Sequence, residues 1–317
     1  MGDRALTSGR VFFIRGWSKL RYRLSEWRSF LSFPMHLSLP TAGAGGLTVV
    51  LFGIPYADWN ALLSDIEFWR DLGGVSTVWR LPAFAWLLSL FGSASAVVVP
   101  MKSAHCRDLP AGRRGLFPCR HSVSILDDKR AFQGYIDAHG LAAHCPRSYA
   151  SPAAAEYPCV VKRLDTSGSI GVKVARSREH LAEILRQPIF VDRSYVLQEL
   201  VPGTTEHASF FICRDGRVLW HWTFASTMSG PAEIKSEEND KNRLIVPTPA
   251  AAIAGLEAIL APLGYCGPCI ANYKIAPDGR PRFFEINPRF GGSLLQRKQK
   301  AELREAMTCI LANASAR

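Results

Sequence analysis

The chain has 317 residues, of which 48% are hydrophobic and 21% are charged, and its formal net charge is +11. This composition excludes a wholly disordered or fibrous protein, and the length allows one large packed unit or two to three smaller ones. The basic charge suits an anionic partner such as a nucleotide or an acidic substrate. No motif typical of nucleic-acid binding accompanies it, so nucleic acid is not an expected partner.

The N-terminal part contains two features that bear on membrane contact. Residues 1–46 are basic and aromatic, and we interpret them as a weakly packed N-terminal extension, with an amphipathic helix on a membrane surface as the alternative. The stretch from Leu81 to Met101 is uncharged and long enough to span a bilayer. It divides into a helix-like run, a small-residue turn and the strand-like run AVVVPM, so we expect two short core elements and no membrane contact.

Residues 47–124 are predicted to form an N-terminal α/β domain. The run from Leu47 to Ile54 is typical of a buried strand, and a helical pattern follows it. STVWRL at 76–81 and AVVVPM at 96–101 supply two further strand patterns. Strand and helix patterns in alternation indicate βαβ units, and therefore an open sheet with parallel strands.

A smaller unit is predicted for residues 125–195. Asp127 is expected to cap a helix that ends at Gly140. A strand pattern at 157–164 leads into DTSGSIGV at 165–172, a loop of small residues, and a strand and a helix follow it. This order predicts a small sheet with helices against it.

A larger unit is predicted for residues 196–317. Asp-Gly pairs at 215–216 and 278–279 lie between alternating apolar runs, which is a strong signal for β-hairpins. A helical run precedes the second hairpin at 251–263. The unit is therefore expected to contain an antiparallel sheet with a helix packed on it.

Eight cysteines are scattered without the spacing of a disulfide framework, which predicts reduced thiols and a cytoplasmic location. Cys266 and Cys269 form the motif YCGPC, which looks like a redox dithiol. A redox motif of this kind follows a strand and opens a helix, whereas this one follows a helical run and precedes a strand. We interpret it as a turn between a helix and a strand.

The stretch FFEINPRFGGS at 283–293 concentrates polar side chains on one predicted strand. Alternate residues of a strand share a face, so Glu285, Asn287 and Arg289 are expected on the same side. Carboxylate and amide oxygens suit hard cations such as Mg²⁺, and arginine suits phosphate oxygens. The stretch therefore predicts a metal–triphosphate site.

Two other stretches add weaker signals for a nucleotide. In VVKRLDTSGSIGV, Lys162 ends a strand, and Gly168 and Gly171 let backbone N–H groups approach phosphate oxygens closely. In LQELVPGTTEH, a strand leads into a hinge that offers backbone groups to an adenine edge, and the acid Glu206 lies seven residues after Glu199. Taken alone, the first stretch is better explained as an ordinary turn, and the second is better explained as two surface glutamates.

Taken in order, ILDDKRAF, PCVVKRLDTSGSIGV, VLQELVPGTTEH and FFEINPRFGGS resemble the ATP-grasp superfamily, in particular its carbamoyl phosphate synthetase-like and biotin carboxylase-like branch. The resemblance covers residues 125–293, and EINPRFGG is its most specific piece. It implies an ATP-grasp fold of α+β or α/β class with an N-terminal open-sheet domain of βαβ type. The small unit would carry a flap, and the large unit would carry the metal site.

The resemblance also implies roles for individual residues. Lys129 and Lys162 match the residues that hold the ATP phosphates. The flap residues among the nucleotide-binding positions are Ser167, Gly168, Ser169 and Gly171. The adenine and ribose positions are Glu199, Leu200, Val201 and Glu206. The metal ligands match Asn272, Glu285 and Asn287, and the catalytic positions match Arg289 and Lys162.

The function implied by this resemblance is an ATP- and Mg²⁺-dependent ligase, with Mn²⁺ as an alternative metal. A carboxylate substrate would form an acyl phosphate, and an amine would then displace phosphate. Two alternatives stay open at this point: an ATP-binding protein without turnover, to which the neutral Asn272 points, and a membrane- or partner-associated protein. Small-molecule carboxylate and amine substrates are the expected partners, and a homodimer is an open alternative.

Overall fold

The computed structural model describes residues 48–52, 66–70, 72, 75–78, 96–109, 111–165, 171–230, 233–235, 243–291, 294 and 299–316. The predicted extension at 1–46 lies outside these residues, as does the first part of the uncharged stretch at 81–95. The second part of that stretch forms a strand, as expected. Within the described ranges, no helix combines the length and the apolar character needed to cross a membrane.

The valine-rich runs near the N-terminus form a parallel sheet. Its elements are β1 (Thr48–Phe52), α1 (Ile66–Arg70), β2 (Val75–Val78) and β3 (Ala96–Pro100), with the strand order β2-β1-β3. Both pairings are parallel. Every residue of β3 is buried, as expected for a parallel strand covered on both faces. The predicted open sheet of βαβ type is therefore confirmed.

Short elements connect this sheet to the next one. They are α2 (Ser103–Asp108), β4 (Arg114–Gly115), α3 (Arg120–Leu126) and α4 (Lys129–Ala138). The Asp128 carboxylate accepts hydrogen bonds from the backbone N–H groups of Arg130 and Ala131, so Asp128 is the N-cap of α4. The prediction that Asp127 caps this helix was wrong, because Asp127 instead ends α3.

A four-stranded antiparallel sheet follows and is called the small sheet below. It contains β5 (Ser148–Tyr149), β6 (Cys159–Arg163), β7 (Val172–Ala175) and β8 (Tyr195–Glu199), in the order β5-β8-β6-β7. Helix α5 (Arg178–Arg186) covers one face, where Leu181 and Ile184 pack against Cys159 and Val161. The alternate residues of β6 are left to face away from this helix.

A five-stranded antiparallel sheet, called the central sheet, forms the larger unit. Its strands are β9 (Thr205–Arg214), β10 (Arg217–Thr227), β11 (Arg243–Val246), β12 (Gly267–Ile275) and β13 (Pro281–Asn287), in the order β11-β10-β9-β12-β13. The two predicted hairpins are both present. The turn between β9 and β10 has positive φ at Asp215 and Gly216, as a tight Asp-Gly hairpin requires.

The helices of the larger unit are α6 (Ala250–Leu260) and α7 (Lys300–Asn313), and β14 (Ser315–Ala316) pairs with β4. Helix α6 packs with Phe211 and Tyr273 on one face of the central sheet. Helix α7 and the parallel sheet pack with Phe210 and Ile212 on the other face. Both faces of the central sheet are therefore covered by apolar packing. The exception is the region where polar residues of β9, β12 and β13 lie near the small sheet and line a cavity.

All eight cysteines are free thiols. Cys266 and Cys269 are both buried; Cys266 immediately precedes β12 and Cys269 lies within it, a few residues after the last helical turn at Ala261–Leu263. The backbone N–H of Asp215 donates to the sulfur of Cys266 at 3.1 Å. The YCGPC motif is therefore a buried connection between a helix and a strand.

Candidate functional site

A cavity lies between the small sheet and the central sheet, lined by residues of both. A β-bulge in β13 determines which side chains of the FFEIN stretch face this cavity. Asn272 of β12 lies opposite Glu285, whereas the next residue, Tyr273, lies opposite Phe283, so Phe284 is an extra residue in β13. A bulge of this kind interrupts the alternation of the strand. Phe283 and Ile286 consequently both enter the core, and Phe284 and Glu285 both line the cavity.

Asn272 and Lys274 of β12 lie on the same side as this pair. The Asn272 amide Nδ2 donates to Glu285 Oε2 at 3.3 Å, so the carboxylate and the amide are side by side. Lys274 is only 2% exposed. Its Nζ donates to the carbonyl oxygens of Val201 at 3.2 Å and of Glu233 at 2.8 Å.

Lys162 reaches the same cavity from the small sheet. Cys159 and Val161 of β6 point into the core below α5, so Val160 and Lys162 point away from it and line the cavity. The Nζ atom of Lys162 lies 5.5 Å from the ring centroid of Phe284. Burial lowers the pKa of Lys162 to about 8, although the nearby carboxylates of Glu285 and Glu206 act to raise it.

Glu206 at the start of β9 supplies a second buried carboxylate, with its side chain 11% exposed. Burial raises the pKa of Glu206, and the nearby lysines, first Lys235 and then Lys274 and Lys162, act in the opposite direction. The Nζ of Lys235 lies 4.0 Å from Glu206 Oε1. Glu206 therefore lies within a group of cations.

The connection after β8 forms the wall between the two sheets. Leu200 and Val201 line the cavity there. The side chain of Glu199 accepts a hydrogen bond from the backbone N–H of Arg147 at 3.1 Å, and the N–H of Glu199 donates to the carbonyl of Arg147 at 2.8 Å. Lys129, in the first turn of α4, completes the lining.

The cavity thus brings together most of the residues that the sequence predicted for a common site. The predicted residues that line it are Lys129, Lys162, Glu199, Leu200, Val201, Glu206, Asn272 and Glu285. Ser167, Gly168 and Ser169 lie outside the described residues. Gly171 lies at the start of β7, and its carbonyl accepts a hydrogen bond from the N–H of Arg163 at 3.0 Å.

Arg289 and Asn287 are not among the residues that line this cavity. Strand β13 ends at Asn287, and the N–H of Arg289 donates to the carbonyl of Asn287 at 2.8 Å, so the chain turns there. The prediction that Glu285, Asn287 and Arg289 continue along one strand face was therefore wrong for Arg289. Its guanidinium donates to the carbonyl of Phe290 at 3.1 Å and lines a separate apolar pocket.

The predicted site residues did not include eight of the residues that line the cavity, and three of these eight bear on its chemistry and shape. These three are Lys235, Lys274 and Phe284. Lys274 carried a usable signal, because it lies two residues after Asn272 in one strand and so shares its face. Phe284 carried none, because strict alternation places it on the opposite face and only the bulge brings it to the cavity.

The chemistry of the cavity suits an anion together with a hard cation. Four lysines line it alongside three glutamates. Among the described residues, no group of three or more histidine, cysteine, aspartate or glutamate side chains is arranged to hold a metal. A cation at Glu285 and Asn272 would therefore need further oxygen ligands from a bound molecule, as Mg²⁺ commonly takes from phosphates.

Comparisons with known proteins identify the fold. No protein-family model matches the chain, and no curated protein matches it in sequence. Solved structures do match. An L-amino acid ligase from Bacillus licheniformis has a TM-score of 0.53 at 17% identity over 82% of this chain and 74% of its own. A D-alanine–D-alanine ligase from Bacillus anthracis has a TM-score of 0.55 at 14% identity over 84% of this chain and 96% of its own.

A third similar structure is N5-carboxyaminoimidazole synthase from Aspergillus clavatus in complex with ADP and 5-aminoimidazole ribonucleotide, with a TM-score of 0.53 at 14% identity. It aligns with 83% of this chain and 77% of its own. All three are ATP-grasp proteins, and the alignments extend beyond the residues that carry the sequence resemblance. The chain therefore has the ATP-grasp fold.

Proposed function

We propose that the chain is an ATP- and Mg²⁺-dependent ligase that joins a small carboxylate to an amine. The observation that carries this proposal is the convergence of Lys129, Lys162, Glu206, Asn272 and Glu285, from five different elements, on one cavity between the small sheet and the central sheet. The similarity to amino acid ligases of the same fold supports the reaction class.

The proposed reaction has two steps, which are formation of an acyl phosphate and its conversion to an amide. An oxygen of the substrate carboxylate attacks the γ-phosphorus of ATP, the bond from that phosphorus to the bridging oxygen breaks, and ADP leaves. The amine nitrogen then attacks the carbonyl carbon of the acyl phosphate, loses a proton and displaces inorganic phosphate. Such transfer depends on positioning and charge neutralisation more than on covalent help from the protein.

Several of the cavity residues have roles in this scheme. Lys129 and Lys162 approach from different elements and neutralise a triphosphate that carries about four negative charges. Leu200 and Val201 contact the base, and Glu206 accepts hydrogen bonds from the ribose. We keep Arg289 as a proposed contact to the transferred phosphate, which requires its guanidinium to leave the carbonyl of Phe290.

The donor atoms fit a magnesium ion that is shared with the nucleotide. Glu285 offers a carboxylate, Asn272 offers a carboxamide oxygen beside it, and Asn287 is the next candidate along β13. Mg²⁺ is commonly held by one or two carboxylates together with phosphate oxygens, and Mn²⁺ accepts similar ligands. When bound, the cation would neutralise the phosphates and orient them. The eight free thiols are consistent with action in the cytoplasm.

A phosphate-release screen of carboxylate–amine pairs with MgATP tests the proposal. We expect at least one pair to stimulate phosphate release, and we expect Lys162→Ala and Glu285→Ala each to lower that rate by about two orders of magnitude or more. Lys173→Ala is the matched control, because Lys173 is exposed on the neighbouring strand β7. If either site variant turns over ATP at the wild-type rate, that residue has no part in the mechanism.

One observation favours a second candidate function, which is nucleotide binding without ligation. The residue beside Glu285 is the neutral Asn272, so the site has one carboxylate fewer than a pair of acids would give a metal. Titration calorimetry with ATP, in parallel with the screen, separates the two candidates. Binding without phosphate release over the whole panel would favour the second.

A further inference from the structure

Lys274 is a buried cation to which the proposed reaction assigns no task. It is 2% exposed, and its Nζ donates hydrogen bonds to two main-chain carbonyl groups rather than to carboxylates. Burying an ammonium group is costly unless it is paired and hydrogen-bonded. An apolar side chain would fill the same volume without this cost, so we expect the ammonium group to have a role through its two hydrogen bonds.

The two carbonyl groups belong to segments that are far apart in the sequence and that both line the cavity. Val201 follows β8 in the connection between the two sheets, which we call the linker, residues 200–203. Glu233 belongs to residues 233–235, which we call the bridging segment and which follow β10 in the chain. Leu200 and Val201 of the linker, and Ile234 and Lys235 of the bridging segment, line the cavity.

Other contacts show how closely these segments approach Lys274. A Cβ atom added to Gly203 in the linker would lie 3.9 Å from the Cδ atom of Lys274, so the linker passes directly over the lysine stem. The Glu233 carboxylate accepts a hydrogen bond from Ser229 at 2.6 Å, and Lys235 lies 4.0 Å from Glu206. The bridging segment is thus held at both ends, and Lys274 holds its main chain to the linker.

We infer that Lys274 is a positioning residue that ties the linker to the bridging segment and so fixes the shape of the nucleotide cavity before the nucleotide binds. The role in nucleotide binding rests on the proposed function, whereas the tie itself does not. A cavity held in its binding shape in advance loses less conformational entropy on binding. Both hydrogen bonds are charge-assisted, which makes them stronger than neutral ones, and the one to Val201 is buried.

Two experiments on the full chain test this inference, with Lys274→Met as the variant and Lys173→Met as the matched control. Methionine fills a similar volume but cannot donate to the carbonyls of Val201 and Glu233. In the absence of nucleotide, we expect Lys274→Met to accelerate hydrogen exchange about tenfold or more in peptides that contain residues 233–235. Lys173→Met should leave the exchange of these peptides unchanged. With nucleotide, we expect the Kd for ADP to rise about tenfold and kcat to change about twofold or less.

The outcomes separate this inference from the proposed function. Unchanged exchange at residues 233–235 in folded Lys274→Met overturns the tie, whatever the protein binds. Accelerated exchange without any ADP binding by the wild type supports the tie and contradicts the proposed function. Equal losses of kcat and kcat/KM at an unchanged Kd would instead place Lys274 in the chemical step and overturn a positioning role. Recovery of exchange protection by Lys274→Arg would support the hydrogen-bonding role.

Lysine acylation of the wild-type protein provides a test that does not depend on the variant folding. A buried amine that donates two hydrogen bonds is expected to react at least about tenfold more slowly than the exposed amine of Lys173. Equal acylation rates at Lys274 and Lys173, read by peptide mass spectrometry, would overturn the inference.

Discussion

Two opposing effects act on the pKa of Lys162, which are burial of its ammonium group and attraction to nearby carboxylates. Burial lowers its pKa to about 8, and the carboxylates of Glu285 and Glu206 act against this effect. The amine is therefore charged below pH 8 in the nucleotide-free protein and loses its charge as the pH rises through that value. Bound phosphates favour the charged form, so nucleotide binding above pH 8 requires the uptake of a proton.

Nucleotide affinity is therefore expected to fall as the pH rises above 8. For the wild type, the Kd for ADP measured in EDTA should increase up to about tenfold per pH unit above this value. Lys162→Arg should bind with a Kd that changes little between about pH 7 and 9.5, because the guanidinium keeps its charge. Titration calorimetry in two buffers that differ in ionisation enthalpy measures both the Kd and the proton uptake.

Lys162→Met provides the control for this experiment. It should bind ADP weakly at every pH, since it never carries the charge. A wild-type Kd that stays constant from about pH 7 to 9.5, without proton uptake, would contradict the assignment of Lys162 as a phosphate-binding cation with a lowered pKa.

The two hairpin turns of the central sheet offer a matched pair of glycines. Gly216 and Gly279 have nearly the same positive φ, 77° and 76°, so alanine at either position meets the same backbone strain. Their surroundings differ. A Cβ atom at Gly216 would lie 2.3 Å from the Cα atom of Ala261, whereas nothing lies within 4 Å of one at Gly279. The difference between the two substitutions therefore isolates the clash with Ala261.

We expect Gly279→Ala to lower the free energy of unfolding by about 1 kcal/mol. Gly216→Ala should lower it by about 2–4 kcal/mol, because the strain adds to a main-chain clash that cannot relax by a side-chain rotation. Urea denaturation followed by circular dichroism measures both values. Equal losses for the two variants would show that the turn after β9 moves away from Ala261 at no cost.

Elements whose signal is local could be predicted from the sequence. Both Asp-Gly hairpins, the parallel β1 and β3 strands and the helix before Cys266 follow from turn chemistry and apolar runs that need no partner. Strand β11 (Arg243–Val246) was not predicted, because its side chains are largely exposed and give no pattern of burial. Its place at the edge of the sheet is decided by pairing with β10.

The candidate site shows the same division. Lys162, Glu206 and Glu285 could be placed in one cavity because they lie in the ordered set of motifs that resembles the ATP-grasp superfamily. The inward direction of Phe284 and the outward turn of Arg289 depend on where β13 bulges and ends, and both are properties of its register with β12 and of the turn after Asn287. A single strand considered alone contains no information about its register.

The apolar cores divide the molecule into parts that differ in cooperativity. One cluster joins Val49 and Val97 of the parallel sheet, Phe210 of the central sheet and Met307 of α7. These elements share one core and are expected to unfold together. The cluster below α5, which includes Val161 and Leu181, contains only residues of the small sheet and its neighbouring segments. The small sheet is therefore expected to open separately from the rest.

Substitutions in the two clusters test this division. Met307→Ala and Leu181→Ala each remove a buried apolar side chain, which costs about 2–5 kcal/mol. Native-state hydrogen exchange should show that Met307→Ala lowers protection in β1, β3 and β9 together. Leu181→Ala should lower protection in β6 and β7 and leave β9 and β12 nearly unchanged.

A bound nucleotide is expected to change this behaviour. The cavity is lined by Lys162 from the small sheet and by Glu206, Asn272 and Glu285 from the central sheet, so a nucleotide there contacts both sheets. Opening of the small sheet would then release the ligand, so saturating ADP should restore protection of β6 and β7 in Leu181→Ala. At a concentration of 100 times the Kd, the expected gain is about 2.7 kcal/mol. If ADP protects the central sheet but leaves β6 and β7 as exposed as before, the nucleotide does not bind between the two sheets.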